Sequence, residues 1–221
     1  MRVFLYSLIS IPILFADAVL LYSFPARTIG RFSPLQWGQV GGGALIYFLF
    51  HFIVRKPERM YLWAHEFTHL IVAKMFFREV HGFHITSRSG GKVVMDGTNV
   101  AIDLAPYAVP LYNAAALVPI ALLRGKYEHA EGIYLCGAAF LFTMHLWFSA
   151  EGFLNGQPDV RRSGRMFSGA VVLLFLTLWI PFLVAPGTGA GFHGLHHLYR
   201  AWLGKGFAVG RELLSRGVAL F

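Results

Sequence analysis

The sequence predicts an all-α integral membrane bundle of about six transmembrane helices, with a small β-hairpin after the third. Three observations carry this. Of the 221 residues, 56% are hydrophobic and 14% charged, whereas ordinary soluble domains have about 45–50% apolar and roughly 25% charged residues. The apolar residues fall in long runs separated by short charged loops, so no segment is left to form a separate soluble core. The longest interhelical stretch of moderate polarity, residues 78–99, has β-capable runs on either side of Ser89-Gly90-Gly91, a turn sequence that tolerates positive φ.

A helix needs about 20 mainly apolar residues to cross a bilayer. Runs 3–24, 38–54, 59–77, 100–123, 130–150 and 166–186 meet or approach that length. The first follows Arg2 and could pass for a secretory signal, but such signals have an apolar core of only about 7–15 residues. This run is longer, contains Pro12 and Asp17, and has no small-x-small pattern before Pro25, so it is expected to remain as a helix. In the second run, Gly41, Gly42 and Gly43 suit close approach of a neighbouring helix. The hairpin is expected over about residues 79–98. A single membrane domain then spans 1–191, and 192–221 reads as an amphipathic interfacial tail broken near Gly204 and Gly206.

The net charge of +8 would suggest nucleic acid in a soluble protein, but the lysines and arginines gather between hydrophobic runs. Lipid headgroups are therefore the expected polyanionic partner, and nucleic acid is not. Cys136 is the only cysteine, so no intrachain disulfide can form.

The third run holds the chemistry. In YLWAHEFTHLIVAKMFF, His65 and His69 are four apart, one helical turn, so both imidazoles can reach one ion. Glu66 lies about 100° round the axis from His65. From there its carboxylate can take a proton from a water activated by the metal without ligating it. With ten histidines and seven glutamates, chance supplies His-Glu-x-x-His roughly 0.014 times per chain of this length. An ionisable side chain at mid-bilayer also costs about 2.5–3.5 kcal/mol even on the lenient scale, which marks Glu66 as functional.

These residues, in a hydrophobic helix followed by a Gly-Gly hairpin, resemble the site-2 proteases, intramembrane zinc metalloproteases. Two further stretches are similar. APYAVPLYN, 105–113, resembles the family's Gly/Pro-rich helix ending in asparagine. NGQPDVRRSG, 155–164, resembles the segment that carries the third zinc ligand, although Val160 stands where the family has glycine and Gln157 where it often has leucine. The likeness covers about residues 59 to 170.

The resemblance implies a Zn2+ cofactor held by His65, His69 and Asp159, with Glu66 as general base and then acid. Read from the residues alone, the third ligand is Asp159, His145 or another group such as Asp103. Asp103 reads better as a cap at the start of the fourth helix, and Asp17 as a helix contact or part of a water cavity. The resemblance also implies that the hairpin, through Gly90, Gly91 and Val93, receives an unwound substrate segment as an added strand. Asn113 then holds either that substrate or the fourth helix, the latter through a helix–helix hydrogen bond. Pro106 and Pro110 are expected to kink the fourth helix. His193, His196 and His197 read as a solvated face of the tail.

The expected protein is thus a multi-pass protease of a prokaryotic cell membrane, acting on membrane-tethered regulators or signal-peptide-like remnants. A small transporter or channel could use the same polar residues for ion passage, and a catalytically inactive scaffold could keep the fold without cleaving anything.

Overall fold

The computed structural model describes residues 2–24, 32–86, 90–187 and 191–218. Helix α1 spans Arg2–Ser23, and α2 spans Pro34–Leu49, continuing through a π-helical turn at Phe50–Val54. Helix α3 covers Glu58–Met75 and leads into strands β1, Val80–Thr86, and β2, Gly90–Met95. Helices α4, Val100–Ala108, and α5, Leu111–Leu123, follow, then the long α6, Ala130–Leu154, and the short α7, Pro158–Ser163. Helix α8, Arg165–Val184, and the tail helix α9, Leu195–Val218, complete the chain.

Local sequence explains where several elements start and stop. Ser33 caps α2 in a reciprocal box: its hydroxyl accepts from the Gln36 amide at 3.2 Å, and the Gln36 side chain accepts from the Ser33 amide at 2.8 Å. Asn99 caps α4 by accepting from the Ile102 amide at 2.9 Å. Asp103 is therefore not the cap that the sequence suggests. Its carboxylate accepts from Thr98 and pairs with Arg162 instead. Pro110 has no amide to continue α4, so the chain bends by 60° between α4 and α5.

Among the described residues, four helices are long and apolar enough to cross a membrane: Phe4–Ser23, Pro34–Val54, Ala130–Leu154 and Arg165–Gly187. The bent α4–α5 pair makes a fifth if it is one span. The expected sixth, α3, falls short because Glu58, Arg59, Glu66 and Lys74 interrupt its 18 residues. Its buried face carries Tyr61, His65, Glu66, Thr68 and His69, the reverse of a soluble amphipathic helix.

The helices pack through small residues, as membrane bundles do. A Cβ on Gly43 would lie 2.0 Å from the Cys136 carbonyl oxygen, so α2 and α6 nearly touch there. The tail helix runs unbroken past Gly204 and Gly206, contrary to expectation. Gly206 instead marks close packing, since an added Cβ would sit 3.1 Å from Ser23 Oγ on α1. Trp202 anchors the same contact by donating its indole N–H to the Leu20 carbonyl at 2.9 Å.

The hairpin is antiparallel, with Phe83 opposite Val93 and Ile85 opposite Gly91, and an irregularity between Val80 and Gly82. Its turn at Ser89 lies outside the described residues. Both strands pack on α3, which brings β2 over the polar face of that helix.

Candidate metal centre

His65 and His69 present their rings from one face of α3, with centroids 4.9 Å apart. A group about 90 residues further along the chain meets them. Helix α6 ends at Leu154, Gly156 turns the chain with φ +62, and Pro158 opens α7 as its first residue. This turn carries Asp159 inward, so that its Oδ2 lies 3.7 Å from His65 Nε2 and 3.4 Å from His69 Nε2. The three ligand atoms all lie within 4.8 Å of one another.

This donor set fits zinc. Two neutral imidazoles and a carboxylate suit a borderline ion, and bonds of about 2.0–2.2 Å in a tetrahedron hold donors roughly 3.3–3.5 Å apart. The ring orientations also suit it. His69 Nδ1 donates to the Ile102 carbonyl at 2.8 Å, which leaves the Nε2 lone pair facing Asp159. That carbonyl is available because its partner in the helical ladder would be residue 106, and Pro106 has no N–H. Proline at 106 thus exposes the acceptor that sets the His69 tautomer. Tyr61 Oη lies 3.4 Å from His65 Nδ1, and the Tyr61 ring stacks on Phe148 at 4.6 Å.

Burial raises the Asp159 carboxyl, and the two imidazoles, when they carry a proton at Nε2 in place of an ion, bring it well below the usual carboxylate range. A carboxylate ligand must be the anion. Tyr107 holds the turn in place. Its ring packs edge-on against His65 at 5.1 Å, and its hydroxyl donates to the Gln157 side chain two residues before Asp159.

Glu66 is buried beside the pair, with β2 lying on it. The backbone of Val93, on that strand, lies close to its carboxylate. A Cβ on Gly91 would fall 2.3 Å from Glu66 Cγ, so any side chain at that point of the strand must displace Glu66. The metal group, Glu66, Gly90, Gly91, Val93 and Arg162 all line one cavity of about 630 Å³, the size range of small-ligand sites.

Of the other residues singled out in the sequence, Asp103 lines the same cavity, whereas His145, Asn113 and Asp17 lie apart from it. His145 is buried, but its Nε2 donates to the Tyr107 carbonyl at 2.9 Å. The bend after α4 leaves the last carbonyls of that helix without intrahelical donors, and His145 satisfies one of them. Asn113 donates to the Ala138 carbonyl at 2.8 Å, a helix–helix bond between α5 and α6 outside the cavity. Asp17 is buried in α1 with neither carboxylate oxygen hydrogen-bonded.

Among the described residues a second set of possible ligands, Glu79, His81 and Asp96, lies exposed at the base of the hairpin, where His81 and Asp96 already pair at 2.7 Å. His193, His196 and His197 form no such group. Sequence reasoning missed Tyr61, Tyr107 and Arg162. Of these only Arg162 left a trace, three residues after Asp159 and so on the same side of a helix.

A mostly helical bundle with four to five candidate membrane spans among the described residues, in which two buried histidines and a half-buried aspartate could hold a metal ion beside a glutamate, defines the class at this level. Residues 41–154, more than half of the chain, match the model of the peptidase M50B-like family, and the chain belongs to that family, which is a site-2 protease family. The matched stretch contains His65, Glu66, His69 and the hairpin and stops short of Asp159. No curated protein and no solved structure matches the chain.

Proposed function

We propose that the chain is an intramembrane zinc endopeptidase that hydrolyses peptide bonds in or near transmembrane segments of other membrane proteins. One observation carries this reading. Donor atoms from α3 and from the turn after α6 come together within ligand distance, in the same cavity as Glu66 and the strand above it.

His65 Nε2, His69 Nε2 and Asp159 Oδ2 would hold the ion, which when bound supplies a Lewis acid for the scissile carbonyl and makes a nearby water easier to deprotonate. Glu66 accepts the proton of the attacking water and passes it to the leaving amide nitrogen, so that hydroxide adds to the carbonyl carbon as the C–N bond breaks.

Strand β2 pairs with β1 along one edge only among the described residues. A substrate helix unwound beside that strand exchanges its internal hydrogen bonds for main-chain bonds to β2, which need no particular side chains. Gly90 and Gly91 keep the approach clear of side chains. Asn113 acts by joining α5 to α6 rather than by touching substrate. Membrane-tethered regulators and signal-peptide-like remnants are the substrates that such a site can take.

The test is zinc content and cleavage of a model transmembrane substrate, measured on the same preparations. His65→Ala is expected to lose both. Glu66→Gln is expected to keep zinc and lose cleavage. Wild type that holds no zinc would point to a transporter or channel, wild type that holds zinc and cleaves nothing would point to a scaffold, and full cleavage by Glu66→Gln would remove Glu66 from the proton transfer.

A further inference from the structure

We infer that Arg162, held in place by Asp103, is a positioning residue that keeps Asp159 a one-oxygen ligand, so that one coordination position of the metal stays open. This rests on the proposed metal centre and concerns a residue outside the ligand set. The two oxygens of Asp159 face different partners. Oδ2 faces the two imidazoles, while Oδ1 lies 3.6 Å from Arg162 Nη1.

Arg162 does not reach this position by chance of rotamer. The same nitrogen donates to Asp103 Oδ1 at 2.8 Å, and that carboxylate also accepts from the Thr98 hydroxyl. The relay therefore runs from Thr98, just before α4, through Asp103 in α4 to Arg162 and Asp159 in α7. The Arg162 side chain is 52% exposed and that of Asp103 only 5%. The arginine thus reaches inward from the rim to a buried carboxylate.

The chemistry needs such a device. A carboxylate can bind a metal through one oxygen or both, and beside two histidines the two-oxygen mode fills a four-coordinate zinc completely. A catalytic zinc keeps a position free. A guanidinium next to Oδ1 competes for that oxygen and leaves Oδ2 to the metal. A lone cation beside a metal would also repel it, but the buried Asp103 cancels the arginine's charge. The pair can therefore orient Asp159 without an electrostatic penalty on metal binding.

The test uses the full-length protein loaded with cobalt(II), whose visible absorption is strong when four-coordinate and weak at higher coordination number. Wild type, His65→Ala, Arg162→Gln and Arg162→Lys are compared for cobalt spectrum, metal per chain and, with zinc, kcat on a model substrate. Arg162→Gln is expected to keep one metal per chain, lose visible absorption severalfold, and lose about 10–100-fold in kcat. Arg162→Lys restores the charge and recovers part of both.

A purely structural role for Arg162 would lower thermal stability while leaving the spectrum and the kcat per bound metal unchanged, and that result overturns the inference. An Arg162→Lys chain no better than Arg162→Gln overturns it as well. Wild type that takes up no more cobalt than His65→Ala overturns the metal centre itself, and this inference with it.

Discussion

Two layers of the bundle, one beneath the hairpin and one behind it, each hold a buried histidine tied to a carbonyl of α4. In the front layer His69 gives Nδ1 to Ile102 and keeps Nε2 for the group around Asp159. In the rear layer His145 gives Nε2 to Tyr107. The side chains are chemically identical and similarly buried, and both partners are carbonyls left free by a proline or a helix end. What separates them is which ring nitrogen is committed and whether other donors converge on the remaining one. Asp17 makes the same point for carboxylates, because it is as deeply buried as any ligand here and meets no hydrogen-bond donor among the described residues. Burial of a polar group in a membrane bundle therefore does not make a site. Convergence does.

The comparison breaks most visibly with His69→Ala against His145→Ala. The first is expected to leave essentially no zinc after purification and the second a full equivalent, as measured by atomic absorption. Next comes Gly91→Ala, whose new methyl must displace Glu66. A misplacement of about 1 Å at a catalytic group costs on the order of 10²-fold in rate, so cleavage should fall by about that factor with zinc retained. Pro106→Ala restores an N–H that competes with His69 for the Ile102 carbonyl. Zinc affinity in chelator competition should then weaken by about 10-fold. The smallest effect is the stability cost of His145→Ala, which leaves the Tyr107 carbonyl unpaired. It is worth about 1–3 kcal/mol in chemical or thermal unfolding.

Much of the front layer can be read from the sequence because its logic is local. The spacing of His65, Glu66 and His69 is a helical property, and the β-capable runs on either side of Ser89-Gly90-Gly91 signal a hairpin, although Gly90 and Gly91 fall in β2 itself. Asp159 was harder. It follows a long helix, and only Asn155, Gly156 and Pro158 indicate that the chain dips back into the bundle. The role of Pro106 was hidden for a different reason. A proline in a helix reads as a kink, whereas its effect here is a missing amide four residues from a carbonyl that another helix uses.

The Arg162–Asp103 pair joins residues 59 apart, and no local pattern announces such a partner. The tail shows the opposite error. Gly204 and Gly206 read as breaks, yet a glycine packed against a neighbouring helix serves close approach and leaves α9 continuous. Four to five spans among the described residues stand out by length and composition, and α3 does not join them because the site itself makes that helix too polar.

The most direct test of the central claim is X-ray absorption at the zinc edge of the purified protein. The account predicts a four-coordinate ion with two imidazole nitrogens, the remaining ligands oxygen, and no sulfur. A third imidazole in the coordination sphere would bring His145 into the site and contradict the division drawn between the two layers. An ion coordinated by oxygen alone would contradict the centre altogether.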